Sequence, residues 1–482
     1  MHYTVIGRVL GLLLSLFSFT MLTPIIVALI YGEETIPMFF LAFAITGGIG
    51  ALSWWLSHND HADLRTRDGF IITVLFWLVL SVFGALPLML AEAPHLRFTD
   101  AVFESISGLT TTGATVMGDL DSLPRSILYY RQQLQWLGGI GIVVIAVAIL
   151  PMLGVGGMQL YRAETPGPMK DSKLKPRITE TANLLFRVYL VLTVCCAIAY
   201  YAAGMAPFDA ICHSFSTVAI GGFSTHDASI GFYDSPVIML VAMVFMVLAG
   251  LNFALHYLAW GRKSIVSYWQ DPEARLYLIL LFGGGSLTVA YLYFSQVYAL
   301  GDSLLHGSFQ YISIMTTTGF ATADFGSWPT FLPFFLLFAS FFGACAGSTG
   351  GGIKISRMLI LGKQCMREVY RLVHPNAVLP IKINGRIFPE RVADGIWAFF
   401  GAYLAIYYFI VLLLLASGLD YVTAWSATAA ALNNLGPGLG DVALNYGGIN
   451  DFAKWVLCAG MLLGRLEIFT LLVLFSPTFW RS

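Results

Sequence analysis

Ten apolar runs divide this chain, each about as long as the roughly 20 residues that carry a helix across a bilayer. They lie near 5–31, 36–56, 70–91, 129–152, 184–204, 236–260, 275–298, 330–362, 394–417 and 453–476. Hydrocarbon offers no partner to a free N–H or C=O, so runs of this length read as membrane helices. The composition agrees. Of 482 residues, 57% are hydrophobic and 11% charged, where a soluble domain carries about 25% charged. Mean hydropathy is +0.76. A net charge of −1 gives no global electrostatic case for nucleic acid. The six cysteines have neither paired nor metal-type spacing and read as small apolar fillers. The first run contains Arg8 and an apolar stretch, as a signal peptide does. It is too long for one, and no small-residue cleavage site precedes Glu33 and Glu34, so it is read as a membrane helix.

Lysine and arginine set the orientation. One set of connections holds Arg65 and Arg67; Arg162, Lys170, Lys173, Lys175 and Arg177; Arg262 and Lys263; and Arg357, Lys363, Arg367, Arg371, Lys382, Arg386 and Arg391. The other set holds Arg97, Arg125, Arg131 and Lys454. The first set is expected in the cytoplasm, with both termini.

Four intervals between the runs carry versions of one phrase: GLTTTGATV (108–116), TVAIGGFST (217–225), SIMTTTGFA (313–321) and AALNNLGPG (430–438). Each centres on a glycine, and ten residues earlier stands Phe103, Cys212, Phe309 or Ser426. Asp100, Asp209, Asp302 and Asp420 mark the start of a half-helix before each phrase, where a carboxylate suits the free N–H groups and the positive dipole end. The unit is therefore helix, half-helix, glycine loop, helix, four times over. Irregular backbone at membrane depth is tolerated only when buried in protein or lining water. Four such loops around one axis would present a ring of carbonyls, which replaces the water around a potassium-like cation. The expected filter comprises Thr111, Thr112 and Gly113; Ile220, Gly221 and Gly222; Thr317, Thr318 and Gly319; and Asn434, Leu435 and Gly436. Copies two and four depart from threonine–glycine, which suggests looser discrimination than four identical loops would give.

The motifs ESISGLTTTGATV, AIGGFSTHD, MTTTGFATADF, GACAGSTGGGIK and GRLEIFTLL together resemble the TrkH/KtrB-type potassium transporters, more TrkH than KtrB, over essentially the whole length. The resemblance implies an all-α polytopic membrane protein: two leading helices, then four tandem helix–re-entrant loop–helix units around a pseudo-four-fold pore. It implies potassium uptake across a bacterial inner membrane, with potassium as cargo and a homodimer with one pore per protomer. A cytosolic nucleotide-binding ring of the RCK type is the implied regulator. The corresponding division is 1–68, 69–161, 162–262, 263–372 and 373–482.

Five glycines in GACAGSTGGGIK (343–354) interrupt the eighth run, and each costs a helix about 1 kcal/mol relative to alanine. An irregular, mobile loop is expected there. The family resemblance makes Gly347, Ser348, Thr349, Gly350, Gly351, Gly352 and Lys354 the intramembrane gate. A phosphate loop is excluded by spacing, because Ile353 separates Gly352 from Lys354 and Ile355 follows. Arg465 lies inside the last run, where a charge costs at least about 2.5–3.5 kcal/mol. It is expected to face the pore, solvated by water and carbonyls, as a barrier to cations, or to pair with Glu467 or Glu104. Glu104 reads as a carboxylate that supports the filter. The basic segments 162–182 and 363–392 read as docking surfaces for the cytosolic partner or anionic lipid heads. His213, His226 and His306 share no metal-ligand spacing.

Two other classes fit less well. A membrane enzyme needs clustered acids, histidines or a nucleophile with its base at one depth, and the carboxylates sit mostly at loop ends. A secondary transporter of another small cation or solute, coupled to protons or sodium, is expected to show inverted broken helices; these units repeat in one orientation.

Overall fold

The computed structural model describes residues 2–58, 66–139, 141, 178–377, 379–383, 386, 387 and 390–480. The 129–152 run beyond Gly139 (apart from Gly141) and the basic stretch 162–177 lie outside them. The regular elements of the described chain are helices, apart from a two-residue antiparallel ladder pairing Lys382–Ile383 with Arg386–Ile387.

Six helices among the described residues are long and apolar enough to cross a membrane: Tyr3–Tyr31, Ile36–Leu56, Arg67–Leu90, Asn183–Ala202, Pro272–Phe294 and Val392–Ala416. They are the two leading helices and the incoming helix of each repeat. The leading pair cross closely at two glycines. A Cβ on Gly11 would fall 2.7 Å from the Gly50 carbonyl, and one on Gly50 would fall 2.8 Å from that of Gly11. Small residues at such a crossing let helices pack in lipid, where no hydrophobic force joins them.

After each incoming helix the chain turns into a half-helix: Phe98–Leu109, Pro207–Ala219, Ser308–Met315 (entered through a π turn at Ser303–Gly307) and Tyr421–Leu432. Asp420 caps its half-helix, accepting from the N–H groups of Val422 and Thr423 at 2.8 and 3.0 Å. The other three aspartates stand inside the first turn instead.

The outgoing helices depart from expectation. Only the third was expected to break, yet the second and fourth stop as early as it does: Pro236–Gly250, Phe331–Phe342 and Asp451–Arg465 run for 12 to 15 residues, while the first is described as Arg125–Gly139. The second and fourth, expected as straight spans 236–260 and 453–476, bend by 96° and 114°. Asn252 starts the second arm by accepting from the Ala254 N–H at 2.8 Å. In the fourth, Glu467 and Ile468 take positive φ angles of 53° and 56°. Hydropathy could not reveal either bend, because both arms are apolar.

The buried core follows a ring. Phe103 and Leu134 of the first repeat share one cluster with Ala424 and Leu457 of the fourth. Leu251, Leu336 and Leu435 join the second, third and fourth, and Tyr189 packs with Phe309 and Phe320 between the second and third.

Candidate functional site: four glycine loops and the plug beneath them

The four loops have the same backbone. Each half-helix ends with an N–H reaching back five residues: Thr112 to Ser107 at 2.9 Å, and Gly221 to Ser216, Thr318 to Ser313 and Leu435 to Ala430 at 2.8 Å. This is the bond of a left-handed helix end. The left-handed residue is Thr111, Ile220, Thr317 or Asn434, with φ of 55°, 55°, 66° and 53°. Two residues on, Gly113, Gly222, Gly319 and Gly436 have φ of 81°, 79°, 85° and 98°. A β-branched residue at positive φ is strained by about 1–3 kcal/mol, and such strain collects at ligand clamps. Three of the four loops carry it.

The central glycines also set the order of the loops in space. A Cβ on Gly113 would fall under 3.0 Å from the Gly221 carbonyl oxygen, one on Gly222 from that of Thr318, one on Gly319 from that of Leu435, and one on Gly436 from that of Thr112. Each carbonyl belongs to the residue just before the next loop's glycine, so the series runs one, two, three, four and back to one. The expected filter residues are thus brought together in a closed ring. Its fourth member differs: Gly113, Gly222 and Gly319 are partly accessible while Gly436 is buried. The Tyr446 hydroxyl donates to the Gly436 carbonyl at 2.7 Å.

Polar side chains hold the ring from outside. Glu104, on the first half-helix, accepts from the Val116 N–H at 2.9 Å and from the Thr115 hydroxyl at 2.9 Å. Its ion-pair partner is Arg131 at 2.8 Å, both fully buried. Arg131 also donates to the Ser224 carbonyl at 3.3 Å and lies 4.3 Å over the Phe223 ring, tying loop one to loop two. Gln135 clasps loop two, donating to the Gly221 carbonyl at 2.5 Å and accepting from the Phe223 N–H at 3.0 Å. At the positions matching Glu104, His213 bonds the Ser224 hydroxyl at 2.9 Å and Gln310 donates to the Ala323 carbonyl at 2.9 Å. In the fourth repeat Ser426 does this work, accepting from the Leu439 N–H at 2.9 Å.

Arg131 and Lys454 therefore do not belong to the outer connections, where sequence placed them. They lie on the outgoing helices, and Lys454 pairs with Asp100 at 2.6 Å. The run Arg131-Gln132-Gln133-Leu134-Gln135 inside an apolar segment was the signal for this. So much polarity cannot face lipid.

Beside the loop ends, His226 bonds Asp121 of repeat one and lies 3.6 Å from Asp209 of repeat two. Partial burial alone would lower its pKa. The bonds and charges of Asp209 and Asp121 outweigh that and raise it above the ordinary imidazole value. His306 bonds Thr322 at 3.1 Å.

Directly under the ring lies the glycine-rich segment 343–354. It is irregular, as expected, and hydrogen bonds fasten it at several points. The Gly351 N–H donates to the Thr317 hydroxyl at 2.7 Å, the Gly352 N–H to the Asn433 carbonyl at 3.1 Å, and the Thr349 hydroxyl to the Val218 carbonyl at 2.9 Å. These anchors are the bases of loops three, four and two. Lys354 folds back onto the Gly350 carbonyl. Glu273 accepts from the N–H groups of Ala346 and Ser356 at 2.6 and 3.1 Å. These hydrogen bonds could not be read from the glycine content of the segment.

Arg465 enters the same level where the fourth outgoing helix breaks. It donates to the Gly138 and Gly139 carbonyls at the end of the first outgoing helix, to the Thr349 carbonyl at 3.4 Å and to the Thr111 hydroxyl at 3.3 Å. Backbone carbonyls thus contribute to its solvation. Glu104 is engaged by Arg131. Glu467 bonds Arg357, which was expected in a cytosolic connection but is buried and stacked 4.1 Å over Phe399.

A family model described as "TrkH: Cation transport protein" matches residues 35–482. The "Trk system potassium uptake protein TrkH" of Halomonas elongata is 54% identical, and that of Escherichia coli K12 is 52% identical, each alignment covering all of both chains. A crystal structure of the potassium transporter TrkH from Vibrio parahaemolyticus superposes with a TM-score of 0.91 at 50% identity, again covering both chains in full. A ring of four glycine loops, a glycine-rich segment fastened beneath it and similarity along the entire chain lead to one conclusion: the protein belongs to the TrkH family of cation transport proteins.

Proposed function

We propose that this chain takes up potassium, which sheds water at the ring of Thr111, Thr112, Gly113, Ile220, Gly221, Gly222, Thr317, Thr318, Gly319, Asn434, Leu435 and Gly436. The cyclic approach of each central glycine to the next loop carries the reading. The relatives' printed names supply the ion. Gly347, Ser348, Thr349, Gly350, Gly351, Gly352 and Lys354 form the gate, with Arg465 as an electrostatic barrier. The repeats divide near 1–68, 69–161, 162–262, 263–372 and 373–482. The protein is a transporter rather than an enzyme. It works as a homodimer in a bacterial inner membrane, both termini cytoplasmic, under a nucleotide-binding ring of the RCK type.

Gly319→Ser tests the filter. A side chain there meets the Leu435 carbonyl and the Pro437 ring, so the third and fourth loops must separate. Rubidium uptake over sodium should fall at least about tenfold, a loss of about 1.4 kcal/mol of discrimination, or transport should cease. An unchanged ratio in well-folded variant protein would sink the reading. Rubidium uptake with a proton gradient imposed and then collapsed separates symport from passive flow.

A further inference from the structure

On the membrane side away from the loop mouths, the bent second outgoing helix leaves a cavity of about 830 Å³ against the incoming helix of its own repeat. One wall is Leu184, Val188, Val191 and Leu192, and Leu248 closes the inner end. The other wall is the arm Phe253–Arg262 and the turn after it, including Tyr257, Trp260 and Ile265.

The arm leaves its parent helix at 96°. With the parent helix crossing the bilayer, the arm lies along the membrane surface. Trp260, Ile265 and Trp269 are exposed there, as on a helix seated in the interface. Arg187 stands one helical turn in from the start of the apolar span Asn183–Ala202, about 6 Å along the helix by helical rise. Lys263 follows the end of the arm. Both are exposed and line the cavity. Neither has an acidic partner among the described residues. His256, in the same wall, is already satisfied by the Tyr268 hydroxyl at 2.8 Å and the Leu248 carbonyl at 2.9 Å.

Two unpartnered cations on the rim of an apolar groove at headgroup depth call for a ligand with an anion at one end and hydrocarbon at the other. A soluble anion would leave the leucine and valine walls uncovered, and a neutral lipid would leave the cations unanswered. We propose that this groove binds a phospholipid with an anionic headgroup. Its acyl chain lies on Leu184, Val188, Val191 and Leu248. Arg187 and Lys263 take its phosphate, the guanidinium by paired N–H donation.

The test is native mass spectrometry of the full chain in detergent, titrated with phosphatidylglycerol or phosphatidylcholine. Wild-type protein should retain phosphatidylglycerol selectively, with free inorganic phosphate unable to displace it. The pair Arg187→Gln and Lys263→Gln should weaken retention roughly thirtyfold, from the attraction of two basic side chains for an anionic headgroup. Val188→Trp fills the groove while keeping both cations, and should also abolish retention. Each variant is scored against its thermal midpoint in phosphatidylcholine, so that misfolding is seen separately. Undiminished retention by both variants overturns the proposal. So does a Val188→Trp protein that keeps its lipid but changes oligomeric mass, which would assign the groove to a contact between two copies of the chain.

Discussion

Arg131, Lys454 and Arg465 are all cations on outgoing helices, and their partners give them different tasks. Arg131 has a carboxylate, Glu104, in a site from which water is excluded. Removing one member of such a pair strands the other, at a cost of about 3–5 kcal/mol. Arg131→Met should therefore lower the thermal midpoint sharply, and adding Glu104→Gln should restore part of the loss. If the single variant is as stable as wild type, the pair does not hold loop one. Arg465 donates to the Gly138, Gly139 and Thr349 carbonyls and to the Thr111 hydroxyl, between the loop ring and the segment beneath it. Arg465→Ala should raise rubidium flux per folded protomer several-fold. A slower alanine variant would refute the barrier and make the arginine a strut for the plug. Sequence showed that Arg465 was anomalous, because a charge inside an apolar run stands out. It did not show which carbonyls answer the charge, since Gly138 and Gly139 lie more than 300 positions away.

Among the elements, the plug and the broken outgoing helices belong together. The second and fourth outgoing helices, 15 residues each, span about 22 Å before they bend, short of the hydrocarbon thickness. The breaks give the plug its seats. The Cys345 N–H donates to the Gly250 carbonyl at 2.9 Å, the Phe253 N–H to the Gly347 carbonyl at 3.0 Å, and Arg465 reaches from the fourth break to the Gly138 carbonyl of the first outgoing helix. Deleting Gly350 and Gly351 removes the anchors to Thr317 and the close packing on Asn433. Basal rubidium flux in vesicles without any regulator should then rise at least tenfold, about 1.4 kcal/mol of lost barrier. Unaltered flux through folded protein would mean that the barrier lies elsewhere. The irregularity of this segment was readable from its five glycines, each unfavourable in a helix. Its fixed seat was not, because the bonds that hold it come from distant parts of its own repeat and from the second and fourth repeats.

For the whole molecule, the ring depends on ties between neighbouring repeats. Arg131 and the Asp121–His226–Asp209 cluster join one to two, the Gly231 N–H reaches the Ala321 carbonyl at 3.1 Å between two and three, Asn433 reaches Ser340 at 2.8 Å between four and three, and Lys454 with Asp100 closes four to one. One tie can be titrated. Because the His226 pKa is raised in the folded protein, its contribution is complete below the unfolded value near 6.5 and fades as pH rises through the folded value. Thermal midpoints of wild type and His226→Gln should differ most at about pH 5–6 and converge in alkali. A difference that grows with pH would reverse the assigned sign.

The sequence by itself determined the class of molecule. Apolar length required membrane helices, and four glycine phrases at matched positions required four similar loops. Both signals are local, since length and the φ tolerance of Gly113 or Gly319 need no distant contact to be read. What the tertiary structure alone decided was the closure of the loops into one ring, the bends at Gly250 and Arg465, and the burial of Arg131, Lys454 and Arg357. The physical reason is the same in each case. A bend between two apolar arms leaves no trace in hydropathy. A buried charge is stable only through a partner such as Glu104, Asp100 or Glu467, brought beside it by folding.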